Sequence, residues 1–391
     1  ALKKMVETFH ADKDAQILLL SYTNRAVDEI CKSLASIAPA VDFIRVGSEL
    51  SCDEAYRGHL IENELSSCNR RSEVYERIRN CRIIVGTVAA ISGKPELFRL
   101  KHFDVAIIDE ATQILEPQLL GILCARGEDG KDAIDKFVLI GDHKQLPAVV
   151  QQNTEQSAIY DESLLSIGLT NLKDSLFERL YRNCTATVHR SYDMLCRQGR
   201  MHPEVALFAN RAFYGGRLIP VGLPHQIESS DTICRLAFYP SVPEKAGASA
   251  KINYSEARIV ADLAVRIYED HQADFDESRT LGIITPYRSQ IALIKKEIES
   301  LGIPALNRIL VDTVERFQGS ERDVIIYSFC VNYPYQLKYL SNLTEEEGVL
   351  IDRKLNVALT RARKQMFITG VPELLERNPL YKSLLKLIES F

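Results

Sequence analysis

Nothing in this 391-residue sequence approaches the ~20 consecutive apolar residues that a membrane span requires. No secretory leader opens it either, so the expected setting is intracellular, with no membrane partner. The nine cysteines are scattered singly and never form a Cys-x-x-Cys pair. That excludes a zinc ribbon or a disulfide framework and fits a reducing compartment. Positive charge is not in excess: 48 Lys and Arg face 53 Asp and Glu, for a net charge of −5. A global basic field is therefore absent. Any path for nucleic acid must be a local groove using backbone N–H and hydroxyl donors as much as Lys and Arg. No Gly-x-x-x-x-Gly-Lys-Ser/Thr string occurs, so the chain carries no glycine-rich phosphate cradle of that type.

What is present is ordinary for a soluble globular protein, 46% hydrophobic and 26% charged, and long enough for two domains. The first half alternates apolar strands, at 16–20, 43–46, 82–85, 105–108 and 137–140, with helices at 26–37 and from about Pro117. Such alternation means a parallel sheet covered on both faces. A polar, Arg- and Glu-rich insertion at about 47–80 suits one or two helices projecting from the core. Its arginines, with Arg82 just beyond, could touch a phosphate backbone, though a solvated helix face is the better account of them. The stretch 151–190 is polar and irregular except for a helix near 175–180. The second half alternates again, with a Pro-, Gly- and Ala-rich loop around 240–250. The expected domains are 1–185 and 186–391, two α/β halves facing each other across a cleft.

The chemistry concentrates in a few strings. Val105 to Ile108 run into Asp109-Glu110-Ala111-Thr112, and the strand after it delivers Gly141-Asp142-His143-Lys144-Gln145-Leu146-Pro147. Parallel sheets bind ligands at the carboxyl ends of their strands, where these acids fall. Asp109 is placed to hold Mg²⁺ through its water shell, and Glu110 to orient and deprotonate the water attacking a γ-phosphate. Asp142 and Gln145 reach the same edge. In the second half, Arg200 precedes a helix starting at Pro203, and Arg361 sits in the pattern of a helix over 355–363. An arginine fork suits the charge that spreads over a transferred phosphoryl group. In 311–323, Gly319 lets backbone approach a phosphate and Glu321 could accept from a ribose; a tight turn between strands accounts for the same residues.

Taken together, these strings resemble superfamily 1 helicases of subgroup B, in the branch of the nonsense-mediated-decay helicase and senataxin. The resemblance rests on Ser21 to Asp28, Gly86-Thr87, Asp109 to Thr112, Gly141 to Pro147, Gln198 to Pro203, Thr285 to Gln290, Asp312 to Glu321 and Leu355 to Arg363, in family order over nearly the whole chain. It implies two tandem RecA-like P-loop NTPase domains with parallel sheets about a nucleotide cleft, using ATP and Mg²⁺. It makes Gln145 a γ-phosphate sensor, Arg200 and Arg361 arginine fingers, and Asp142, Gly319 and Glu321 part of the nucleotide site. Ser21, Asn24, Thr87, Thr285, Tyr287 and Thr313 fall in motifs that grip the backbone of single-stranded DNA or RNA, with 5′-to-3′ travel implied.

The chain departs from the family in two places. The phosphate loop is missing where the family has it just before the helix leading to Ser21, so Ala1 reads as a start after that loop and its strand. These residues alone are then expected to hydrolyse ATP negligibly. Gly199 replaces the tyrosine usual before the first arginine finger. The alternative to a motor is a non-catalytic helicase-like module that binds nucleic acid or a protein partner.

Overall fold

A computed structural model of the chain describes residues 2–38, 40–186, 191–229, 233–244, 249–346 and 348–391. Ala1, 187–190 of the irregular stretch and 245–248 of the Pro- and Gly-rich loop lie outside the described residues. The chain divides into two compact units, 1–143 with 147–193, and 144–146 with 194–391.

The first unit is built on β1 (Ile17–Ser21), β2 (Phe43–Val46), β3 (Ile83–Thr87), β4 (Val105–Ile108) and β5 (Phe137–Leu139), all parallel in the order β2-β3-β1-β4-β5. The apolar runs expected to be central strands are central strands. Their side chains alternate between two cores. Leu18, Leu20, Ile84 and Ile108 face one, and Ile17, Leu19, Val85 and Ile107 face the other, under the helix Asn24–Ala35. Burial on both faces is why these strands read as continuous apolar runs. At the edge, β5 is only half-buried. The 47–80 insertion folds as 3₁₀ turns at Glu49–Ser51 and Glu54–His59 and helices at Ile61–Glu64 and Arg71–Asn80.

In the second unit come a short pair, β6 (Arg197–Gln198) with β7 (Ile219–Pro220), then β8 (Leu236–Pro240), β9 (Leu281–Ile284), β10 (Leu310–Asp312) and β11 (Arg322–Ser328). A hairpin of β12 (Leu343–Glu346) and β13 (Val349–Asp352) precedes β14 (Ala362–Gly370). The main sheet is again parallel, ordered β10-β9-β11-β14-β8. The helix Tyr254–Asp270 covers one face, and Pro203–Phe213 with Pro379–Ile388 covers the other. Two α/β units on parallel sheets are the architecture that tandem RecA-like domains require.

One expected element is corrected. The helix over 355–363 runs instead from Arg353 to Leu359, and Arg361 lies in the turn before β14. The Thr360 hydroxyl donates back to Asn356 O at 2.8 Å, and the chain then joins β11 in register, Arg322 beside Ala362. Strand pairing wins over the helical periodicity that continues through Ala362.

Candidate active site

In the first unit, the ends of β1, β3, β4 and β5 carry the predicted residues to one sheet edge. Asp109 follows β4 directly, and its N–H donates to Leu20 O at 2.8 Å, pinning it to β1. Burial raises its carboxyl above the usual range, opposed by the N–H of Glu110. A half-buried carboxylate at this position fits Mg²⁺, a hard cation that takes oxygen ligands and keeps much of its water. Glu110 has left-handed backbone, φ 54° and ψ 36°, rare for a residue with a Cβ and often a mark of function. Its Oε2 accepts the Gln113 Nε2–H at 2.6 Å. The next N–H, of Ala111, donates to Ile140 O at 2.8 Å and ties the acid loop to the chain leaving β5. Gly141 is required there, since a Cβ would meet Thr112 Cγ2 at 2.9 Å. Asp142 follows it, half-buried.

Ser21 and Thr87 are paired in register at the same edge. Ser21 is fully buried, its hydroxyl donating to Asp109 O at 3.3 Å, and Thr87 caps the helix Val88–Ser92 by accepting the Ala90 N–H at 3.1 Å. Asn24 opens the helix Asn24–Ala35, half-buried. Among the insertion arginines, Arg77 is held by Asp42 at 2.9 Å and Glu64 at 2.7 Å, and Arg82, beyond the insertion, donates to the carbonyls of Ala15 and His10. Those two are structural ties.

In the second unit, the arginines meet. Arg200 Nε donates to Glu321 Oε2 at 2.6 Å, and Nη1 to Thr360 O at 3.3 Å. Arg361, 2% exposed, donates from Nε to Val357 O at 3.0 Å and from Nη2 to Thr360 Oγ1 at 3.1 Å and Gln145 Oε1 at 3.3 Å. Gln145 belongs to this unit because its neighbour Lys144 is tied into it: Nζ donates to Phe213 O at 2.7 Å, and Asn356 Nδ2 donates to Lys144 O at 2.8 Å. Burial would raise the Glu321 carboxyl, but Arg200, with Arg363 and Arg361 behind it, holds it below the usual glutamate range. Gly319, at φ 77°, forms the exposed turn before it.

Thr285, Tyr287 and Thr313 lie at the other end of this sheet, after the carboxyl ends of β9 and β10. Thr285 is fully buried, its N–H donating to Asp312 O at 3.1 Å; Tyr287 and Thr313 are half-buried. The unit thus separates the residues expected at a nucleotide from those expected at a strand. Sequence reasoning missed Gln113, which holds Glu110, and Thr360, which both arginines touch. A carboxamide three residues after Glu110 was the available signal for the first. The second had none.

Two parallel-sheet units, one with an acid pair at its sheet edge and one with clustered arginines, put the chain in the class of proteins with tandem RecA-like domains. A family model described as "AAA domain" matches residues 172–373, over half the chain, and another of the same description matches 62–153. The chain is 30% identical over 401 residues to the DNA replication ATP-dependent helicase/nuclease DNA2 of Xenopus laevis, covering 92% of this chain and 33% of that protein. To the probable helicase MAGATAMA 3 of Arabidopsis thaliana it is 30% identical over 320 residues, covering 78% and 35%. Arterivirus nonstructural protein 10 (helicase) is similar among solved structures at 13% identity, over 94% of this chain and 56% of that one, with a TM-score of 0.47. The chain belongs to the superfamily 1 helicases, as their motor core. It spans about a third of the length of the curated relatives it matches. Among the described residues no helix is long and apolar enough to cross a membrane.

Proposed function

We propose that this core serves an ATP-driven helicase or translocase that moves 5′ to 3′ on single-stranded DNA or RNA. The observation that carries the reading is the meeting of Arg200 and Arg361 on Thr360, with Glu321 and Gln145 as their side-chain partners. A buried arginine such as Arg361 is costly to fold around, and its pairing with the half-exposed Arg200, facing one carboxylate and one carboxamide, suits an anionic ligand that exchanges with those partners. In this reading Asp109 holds Mg²⁺, which would neutralise phosphate charge, and Glu110 takes the proton of the attacking water. Arg200 and Arg361 meet the charge that develops on the γ-phosphoryl group, and Gln145 reports its presence. Asp142, Gly319 and Glu321 complete the nucleotide contacts. Ser21, Asn24, Thr87, Thr285, Tyr287 and Thr313 line the strand path, Ser21 and Thr285 from beneath as buried supports. Such contacts hold phosphates without reading sequence, which a translocating motor needs.

We further propose that the 391 residues alone turn over ATP negligibly, because they contain no glycine-rich phosphate loop of the Gly-Lys-Ser/Thr type. The test is ATP hydrolysis by these residues, and by the same residues preceded by a strand and such a loop, each with and without single-stranded DNA and RNA. Strand-stimulated turnover by the loop-bearing chain, lost in Glu110→Gln, is expected. Silence with every strand despite the loop would leave a non-catalytic binding module, and robust turnover by the 391 residues alone would refute the need for the loop.

A further inference from the structure

The chain leaves β11 through a strained point. Cys330 is buried with φ 49°, and its N–H donates to Glu256 Oε2 at 2.8 Å. The loop that follows, Asn332-Tyr333-Pro334-Tyr335-Gln336, is built on buried carboxamides whose hydrogen bonds are met. Gln336 Oε1 accepts the N–H groups of Asn332 and Tyr333, both at 2.9 Å. Gln336 Nε2 donates to Ala250 O at 2.7 Å and to the Tyr287 hydroxyl at 3.2 Å. Asn332 donates to Ile252 O at 2.7 Å and accepts from Asn253 Nδ2 at 2.9 Å. A loop so anchored has lost its conformational freedom before any ligand arrives.

What this foundation presents is aromatic. The rings of Tyr333 and Tyr335 stack at 5.8 Å between centroids and 13° between planes. Tyr335 is 58% exposed, and Tyr339, in the short helix Leu337–Leu340 that follows, is 68% exposed. Single exposed tyrosines are common, but here two stacked rings and a third exposed ring are grouped on one rigid loop and the short helix after it. The surrounding charge says what such a group suits. Lys251, Arg288 and Lys338 are all exposed, each within two residues of a group that Gln336 bonds or of Gln336 itself, in a chain whose net charge is −5. The nearby acid Glu244 accepts the Tyr254 N–H.

The geometry points to a base-stacking platform for single-stranded nucleic acid, with Tyr335 and Tyr339 offering ring faces to bases and Lys251, Arg288 and Lys338 meeting the phosphates between them. This inference rests on the strand-binding reading above and adds to it a second kind of contact. The platform leaves the carboxyl end of β11 next to Tyr287, which follows the adjacent strand β9, so one strand lying over Tyr287 continues onto it. Stacking tolerates any base, as a motor's track requires.

The test measures binding of a labelled oligothymidine, and of an abasic strand of equal length, to the 391-residue chain at fixed salt. Tyr335→Ala with Tyr339→Ala is expected to weaken oligothymidine binding about ten- to a hundred-fold, while abasic binding and the salt slope stay unchanged. Tyr335→Phe with Tyr339→Phe keeps the rings and the affinity. Both side chains are exposed, so the unfolding midpoint stays put in each variant. Equal affinity of the unaltered chain for the two strands overturns the platform. So does unchanged affinity in the double alanine variant, which would leave the tyrosines to a protein partner and the strand-binding reading intact. Failure of the unaltered chain to bind any strand overturns both.

Discussion

Arg200 and Arg361 are joined through one residue: Arg200 donates to the backbone oxygen of Thr360, and Arg361 to its hydroxyl. The two guanidiniums are nonetheless unequal. Arg200 is half-exposed and paired with the exposed Glu321, whereas Arg361 is buried among backbone carbonyls and Gln145. Like charges this close are tolerated because Glu321 and those carbonyl dipoles surround them.

The inequality separates activity from stability. Arg200→Ala in the loop-bearing chain should lower strand-stimulated hydrolysis by on the order of 10³-fold. Its effect on unfolding should stay within about 1 kcal/mol, since an exposed ion pair contributes little. Arg361→Ala should reduce turnover as much and also cost about 1–3 kcal/mol, because Gln145 and Val357 O lose a buried partner. Steady-state rates and urea unfolding on both variants check this. Equal stability loss in the two would contradict the burial argument.

Gln113 is expected to act through Glu110 rather than on the nucleotide. Gln113→Ala removes the hydrogen bond that Gln113 Nε2 donates to Glu110 Oε2 at 2.6 Å. A base that swings free spends less time aligned, so kcat should fall about ten-fold, a part of the 10²–10⁴ a positioned base supplies, with KM unchanged. Glu110→Gln should lose the full base contribution. A rise in KM with constant kcat would place Gln113 at the nucleotide instead.

Much of the fold was legible because burial on both faces leaves plain apolar runs: Phe43–Val46 and Val105–Ile108 fall where the sequence puts them, as does the helix Pro203–Phe213 with its proline at the first turn. The strand Leu236–Pro240 was not, since only Leu236, Ala237 and Phe238 are apolar in line before Tyr239 and Pro240. Nor was the hairpin of β12 and β13, a Leu-Thr-Glu-Glu strand turning at Gly348 with φ 77°, whose polar pattern resembles a loop. The candidate residues were legible singly, from strings. Their grouping was not: Thr360 joins arginines distant in sequence through a backbone oxygen and a hydroxyl, and no spacing encodes that.

Gly141 is expected to be irreplaceable for a packing reason. Its φ is not left-handed, so alanine is allowed by the backbone, but its Cβ would sit 2.9 Å from Thr112 Cγ2 and 3.1 Å from Thr112 N. Gly141→Ala should destabilise the first unit by about 1–3 kcal/mol, as overpacking does. Adding Thr112→Ser removes the methyl group and should recover part of the loss, the backbone contact remaining. Urea unfolding of the two single variants and the double completes the cycle. Additive effects would show that the two residues do not touch.

Glu256 makes stability depend on pH in a direction opposite to most carboxylates. It is fully buried and pushed up to about 7 by desolvation, only partly offset by Ser328 donating at 2.6 Å and Cys330 N–H at 2.8 Å. The folded chain therefore keeps a proton that the unfolded chain gives up near its ordinary value of 4.5. Where the native state binds more protons, stability falls as pH rises. The contribution is fully present below about pH 4.5 and is lost progressively up to about 7, roughly 3 kcal/mol in all. Glu256→Gln is neutral at every pH. Its oxygen can accept from Ser328 and Cys330 while its amide donates to Ser241, so the fold is retained. Unfolding midpoints between pH 5 and 8 should decline less steeply in the variant, and above pH 7 the variant should be the more stable protein. Parallel curves would mean that Glu256 is ionised within the fold throughout that range.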